Sequence, residues 1–448
     1  MSGNASVERL AYGVALVAGA AGLALYSGYR HPIWIDEFLH FALGGMSDTA
    51  EAWDVIVQSI GSFNFNQTGI YMLLDFWLLK LFGASAFALR LPSLLSAGWL
   101  LISAATFCSA RRLGNAWKVV LILALLAQPW VMNFAAEARP YMPLAAATVG
   151  SFAFYSMPLE RRRGAVQWFG AISICLGSLM HPYFPGYLAA VIWIGFIRAV
   201  VEDNVHFTRV DFIRFLDARK VVAGLAIFLM VGSLTWMRGS IALHLDPFQW
   251  IHREDLLVTS LGAVHLGFVC PCGISLWTWY SPPYLILYAM AAVLLLYPLS
   301  HGAWQARLRG LLAPSLLAFG TLLLSSGLAW LSYRSHYWIL GRQWVASAAL
   351  MPVAVVWCTA EFARVCDYWC RWSSLALAIA CLVPLAYPLS IIVPLKLSQI
   401  QGDMANLPAA VEPLPPEHPD NDQWVRLANA NIAEGGPVWA MFRKFYDR

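Results

Sequence analysis

The sequence predicts an all-α polytopic membrane protein, and three observations predict it. Of the 448 residues, 60% are hydrophobic and only 12% are charged, about half the charge of an ordinary soluble domain. The apolar residues gather in continuous stretches of about 20, the length a helix needs to cross a bilayer. They do not alternate over segments of about 10, as the strands of a membrane β-barrel do. This composition excludes a soluble multidomain enzyme, a disordered chain and a disulfide-stapled secreted module. A net charge of +4 points to no nucleic-acid partner.

Eleven candidate spans start near Leu10, Pro92, Trp117, Tyr141, Gly164, Phe184, Lys220, Pro283, Leu311, Trp344 and Ser374. The first lacks the basic start and the small-residue cleavage site of a signal peptide, and further spans follow it. A twelfth apolar run, IYMLLDFWLLKLF between Gly69 and Gly83, carries Asp75 and Lys80. As a helix it reaches about 20 Å, short of the roughly 30 Å hydrocarbon core. Each mid-membrane charge would cost about 2.5–3.5 kcal/mol. The run therefore reads as a helix lying in the interface. With the N-terminus inside, this choice puts Arg111, Arg112, Lys118 and the triplet Arg161-Arg162-Arg163 in inner loops, as the positive-inside rule requires. Counting the run as a span would reverse them.

The outer face then comprises residues 28–91, the turns at 135–141 and 181–185, the loop 238–282 and the tail. The chain divides into a membrane region, 1–393, and a short periplasmic tail, 394–448, small for a domain of its own. No internal repeat is evident, which argues against a repeat-built transporter. Among the eight cysteines, Cys108, Cys175, Cys358 and Cys381 lie in apolar runs and act as small hydrophobes. Cys270-Pro-Cys272 is the close pair, and it lacks companion ligands at metal-binding spacing. A structural role is expected there.

Charges near a membrane are expensive unless paired or wetted. Asp36-Glu37 sits in Trp34-Ile-Asp36-Glu37-Phe38-Leu-His40. A carboxylate in such aromatic surroundings can serve as a general base; alternatively, Asp36 simply caps a surface helix through Phe41. Helices entering from outside point their positive ends at the outer surface. Arg90 precedes Pro92, Arg139 precedes Pro140, His181 precedes Pro182 and Arg342 precedes Trp344. Proline suits a first helical turn, and helix N-termini with arginine make an anion site suited to phosphate. The competing account is snorkelling to lipid headgroups. Glu137 pairs with Arg139 or orients a substrate hydroxyl. Tyr333, His336, Tyr337 and Trp338 form a polar-aromatic cluster of the kind that borders membranes and also stacks on sugars.

Taken together, three stretches resemble a known group. Trp34-Ile-Asp36-Glu37 is similar to the acidic motif in the first outer loop of GT-C-fold glycosyltransferases. The run from Gln67 through Pro92 looks like their juxtamembrane helix. Glu137-Ala-Arg139-Pro-Tyr141 resembles the second-loop motif of the protein O-mannosyltransferase and lipid A aminoarabinose transferase superfamily. The likeness covers residues 10–200; beyond that, Arg342-Gln-Trp-Val is faintly like that superfamily's late Arg-Tyr-Leu-Leu-Pro stretch. It implies a GT-C-like fold and inverting transfer from a polyprenyl-phosphate sugar. By this resemblance Asp36 is the base, and Glu37 supports it or binds substrate. Glu137 and Arg139 line the donor site with Tyr141, Arg139 being on the phosphate. His181 and Tyr183 face the same cavity, and Arg90, His336 and Arg342 add substrate contacts. The chain departs from the family at Asn66-Gln67-Thr68-Gly69, where relatives often have a His-Pro-Pro-like start.

The expected protein is thus a membrane glycosyltransferase in a bacterial inner membrane, with its site facing the periplasm. The donor is a polyprenyl-phosphate sugar, and the acceptor a protein, lipid or glycan. No metal or other cofactor is expected. Its competitors are a polymerase or ligase using a diphosphate-linked donor, and a lipid-linked sugar flippase. A flippase would place its ionisable residues near mid-span, whereas here they gather at outer ends.

Overall fold

The computed structural model describes residues 46–59, 69–83, 86–217 (less 182 and 204), 310–324 (less 322) and 344–366. It also describes Gly13, Ala18, Gly19, Gly22, Glu37, His40, Phe41, Leu43 and Gly44. The expected spans from Lys220, Pro283 and Ser374, almost all of the first span, the loop 238–282 with Cys270 and Cys272, and the tail lie outside the described residues. Among those described, every regular element is helical.

Glu37, His40, Phe41 and Leu43 are helical, and α1 follows over Thr49–Ser59. Asp48 starts α1: its Oδ1 accepts the N–H groups of Ala50 and Glu51 at 2.8 and 2.9 Å, which N-caps the helix. Helix α2, Ile70–Phe82, fills the expected interfacial run residue for residue. Its ends are set by Gly69 and Gly83, whose φ values of 75° and 84° other side chains tolerate poorly. Leu43, Met46, Ala52, Ile56, Met72 and Phe76 join α1 and α2 in one small core.

Helix α3 runs over Ala86–Ala110 with Pro92 inside it. This corrects the expected start at Pro92. Ala86–Arg90 is helix-compatible sequence, and Pro92 lies in the second turn of α3, where it lacks the N–H that would reach the Ala88 carbonyl and crowds that carbonyl. Arg90 therefore sits within α3 and not before its N-terminus. The next expected span is two helices, α4 over Asn115–Ala127 and α5 over Pro129–Ala135. Gln128 is extended (φ −74°, ψ 116°), as a residue before proline tends to be. Its side chain repairs the break, accepting the N–H of Trp130 at 3.0 Å and donating to the carbonyl of Ala348 at 3.4 Å.

Helix α6 (Tyr141–Tyr155) is buried at every residue. Around it pack α3, α7 (Ala165–Met180), α8 (Phe184–Glu202) and α11 (Val345–Cys366). The short α9 (Arg209–Asp217) and α10 (Gly310–Thr321) complete the described set. Close approach relies on small residues, as in many membrane bundles. A Cβ at Gly150 would meet the hydroxyls of Ser173 and Ser103, and one at Gly195 would lie 2.8 Å from the carbonyl oxygen of Tyr155. Phe87–Ala110, Phe184–Glu202 and Val345–Arg364 are long and apolar enough to cross a membrane, and the chain is an integral membrane protein.

The helix ends sort into two sets. At one end Arg111 meets Glu202 at 2.6 Å, and Arg198 meets Asp203 at 2.8 Å. Arg364 pairs with Glu361 and caps α3 by donating to the carbonyls of Arg111 and Arg112 at 3.1 and 2.8 Å. Glu37, the turn 136–140, His181 and the start of α8 gather at the other end.

Candidate active site

At this second end, the Glu37 carboxylate is fully buried and doubly bound. Arg90 Nε donates to Oε1 at 2.9 Å, and Arg90 Nη2 donates to Oε2 at 2.6 Å. The Ala138 N–H also donates to Oε1, at 2.6 Å. A planar guanidinium fits a carboxylate in this two-pronged way. Glu37 therefore ties the acidic segment to α3 and to the Glu137–Arg139 turn.

One helical turn on, His40 makes a second buried tie that the sequence reading missed. Its Nδ1 lies 2.6 Å from Asp75 Oδ2 on α2. Burial first, then the negative charge of Glu37, push the Asp75 carboxyl well above the usual carboxylate range, so the pair is held with a proton between its members. The signal was present in the sequence: an acid in an otherwise apolar helix must find a partner or water. Tyr71, one turn earlier on α2, meets the His40 ring edge-on at 5.7 Å. Its hydroxyl is 2.8 Å from Ser93 Oγ. Ser93 Oγ in turn donates to the carbonyl of Glu137 at 2.7 Å, so Tyr71 is the donor to Ser93. Burial, with Asp75 adding, raises the Tyr71 phenol well above its ordinary value.

The Glu137–Arg139 turn is held from two sides, at the Ala138 N–H and at the Glu137 carbonyl. Arg139 Nε is 3.8 Å from Glu137 Oε1, a loose ion pair. The Arg139 guanidinium lies 5.9 Å from the Tyr141 ring centre. Pro140 precedes α6 directly, which puts Arg139 at a helix N-terminus. From Tyr141 the rim continues to His181, with ring centres 5.7 Å apart, and on to Tyr183 at 5.1 Å. Helix α8 opens immediately afterwards, with Pro185 in its first turn. Two helix N-termini, one arginine, one partly exposed carboxylate and three aromatic or imidazole rings thus share one rim. Such a rim can hold an anion and pack a neutral ring beside it.

The structure brings together Glu37, Arg90, Glu137, Arg139, Tyr141, His181 and Tyr183. Asp36, His336 and Arg342 lie outside the described residues, as do Tyr333, Tyr337 and Trp338. Among the described residues, no three His, Cys, Asp or Glu side chains converge as metal ligands would.

No protein-family model and no curated protein matches the chain. Among solved structures, it matches the archaeal oligosaccharyltransferase AglB from Archaeoglobus fulgidus, in complex with an inhibitory peptide and a dolichol-phosphate. That match has a TM-score of 0.51 at 12% identity, over 98% of this chain and 59% of that one; the chain thus spans 59% of the length of that enzyme. ArnT from Cupriavidus metallidurans, bound to undecaprenyl phosphate, gives a TM-score of 0.31 at 15% identity over 80% of each chain. The likeness to AglB establishes the fold, which is GT-C-like.

Proposed function

We propose that the chain is an inverting glycosyltransferase of a bacterial inner membrane. It takes a sugar from a polyprenyl phosphate and gives it to a protein, lipid or glycan acceptor at the periplasmic face. One observation carries the reading: Glu37, Arg90 and Ser93 of α3, and the Glu137–Arg139 turn before α6 are tied together at one end of a GT-C-like fold. The AglB structure is in complex with a dolichol-phosphate, which agrees with the donor class.

In this mechanism an acceptor hydroxyl or amine attacks the anomeric carbon from the face opposite the phosphate. The carbon–oxygen bond to phosphate breaks, and the acceptor proton passes to the Asp36 carboxylate. The leaving polyprenyl phosphate keeps the electron pair, and Arg139 with the N-termini of α6 and α8 stabilises its growing charge. Glu37 is a positioning residue, since its carboxylate is engaged by Arg90 and Ala138. The same bond neutralises Arg90, which leaves Arg139 as the better-placed phosphate contact of the two. Fixed cations supply the stabilisation that a metal provides elsewhere, so transfer should persist in excess chelator.

The test is to incubate purified protein with radiolabelled polyprenyl-phosphate sugars and cell-envelope acceptors, and to follow label out of the lipid fraction. Wild type should transfer, while Asp36→Asn should fall by about 10²–10⁴-fold with lipid binding retained. Equal transfer by both would remove Asp36 as the base. Tight lipid binding without transfer from any donor would favour a diphosphate-linked donor or a flippase.

A further inference from the structure

His181 closes α7, three residues before α8 begins at Phe184. The Tyr183 N–H donates to His181 Nδ1 at 3.2 Å. An amide nitrogen can only donate, so Nδ1 carries the lone pair and the neutral ring bears its hydrogen on Nε2. Among the described residues, that buried Nε2–H has no hydrogen-bond partner. Burial pushes the imidazole down to about 3, so the ring stays neutral across the working pH range. A buried donor without an acceptor is costly, and an oxygen of a bound molecule can satisfy it.

The surroundings say which oxygen. The Tyr141 and Tyr183 rings flank the imidazole at 5.7 and 5.1 Å. The guanidinium of Arg139 lies 5.9 Å from the Tyr141 ring centre. The Tyr141 ring thus has as neighbours both a charge suited to a phosphate and a neutral N–H donor. A phosphate gains more from the cation. A sugar ring gains from a neutral N–H for one of its oxygens and from phenol faces for its C–H surface.

We propose that His181, Tyr141 and Tyr183 form the glycosyl subsite, and that the Nε2–H of His181 selects a sugar presenting an oxygen there over an amino sugar presenting an ammonium group. This rests on the transferase reading above. A hydroxyl or carbonyl oxygen offers a lone pair. An ammonium group offers three N–H donors and none, so facing it with Nε2–H leaves both groups buried and unmatched. Selection here works by repelling the wrong ligand as well as attracting the right one.

The experiment uses full-length protein in nanodiscs and three lipids: polyprenyl phosphate, a polyprenyl-phosphate hexose and a polyprenyl-phosphate 4-amino-4-deoxypentose. Wild type should bind the hexose lipid more tightly than the bare phosphate. It should transfer hexose with a kcat/KM on the order of 10- to 100-fold above that for the amino sugar. His181→Phe should lose the extra affinity for the hexose lipid while binding bare polyprenyl phosphate as wild type does, which also reports a folded protein. His181→Gln, whose amide restores a neutral donor, should recover part of the loss, and His181→Glu should turn the preference towards the amino sugar. Equal weakening of all three lipids in His181→Phe would place the donor on the phosphate and overturn the proposal. No change in any lipid would mean an internal water only, and overturns it too. Failure of wild type to bind any of the three would overturn the transferase reading itself, a result distinct from a wild type that binds all three with no preference among sugars.

Discussion

Two residues one turn apart, Glu37 and His40, decide where the acidic segment sits, and each is buried against an ionisable partner. Breaking such a pair from one side strands the other charge, at a cost of about 3–5 kcal/mol. Arg90→Ala should therefore lower the unfolding midpoint more than the double change Arg90→Met with Glu37→Leu, as thermal unfolding in detergent would show. Asp75 adds a pH dependence whose sign follows from its raised value. Its neutral form is favoured in the folded protein, so its contribution is intact below the ordinary carboxylate value and is lost as pH rises through the raised one. Wild type should thus lose midpoint as the buffer pH is raised above the ordinary carboxylate range, and Asp75→Asn should lose less of it. The sequence made the Asp36-Glu37 motif legible, but not what holds Glu37. Glu37 is fixed by Arg90, far along the chain, and by a backbone N–H that no side-chain pattern records.

At the scale of elements, glycine was the clearest guide and proline the less reliable one. Gly69 and Gly83 bound α2 as expected because both take positive φ. Pro92 suggests a helix start, yet α3 begins at Ala86 and carries the proline in its second turn, where it costs a backbone bond. The span expected from Trp117 is divided before Pro129. The Gln128 contacts that make the division tolerable reach Ala348 in another part of the chain, beyond local reading. Helix packing gives a paired prediction. Gly195→Ala would press a methyl on the Tyr155 carbonyl, backbone that cannot easily give way, and should destabilise by about 1–3 kcal/mol. A Cβ at Gly98, inside α3, meets nothing within 4 Å, so Gly98→Ala should stabilise by about 0.4–1 kcal/mol. Unfolding midpoints of the two variants, compared side by side, check both signs.

For the whole molecule, the alternation of spans read from the positive charges agrees with how the helix ends sort. Arg111, Arg198 and Arg364 meet at one end, and Arg90, Arg139 and His181 gather at the other. Alkaline phosphatase fused after Arg163 should be inactive in a bacterial host, and fused after Arg139 it should be active; the reverse pattern would invert the orientation. The buried state of α6 has a consequence for how the protein is made. At 15 residues the helix is about 22 Å long, too short to cross the roughly 30 Å core by itself. Its covering helices include α11, which begins at Val345. While the ribosome is still translating the middle of the chain, α6 lacks one of its walls. Chains cut short before residue 345 should therefore be cleared by membrane proteases faster than the full-length protein, with the earlier helices already inserted.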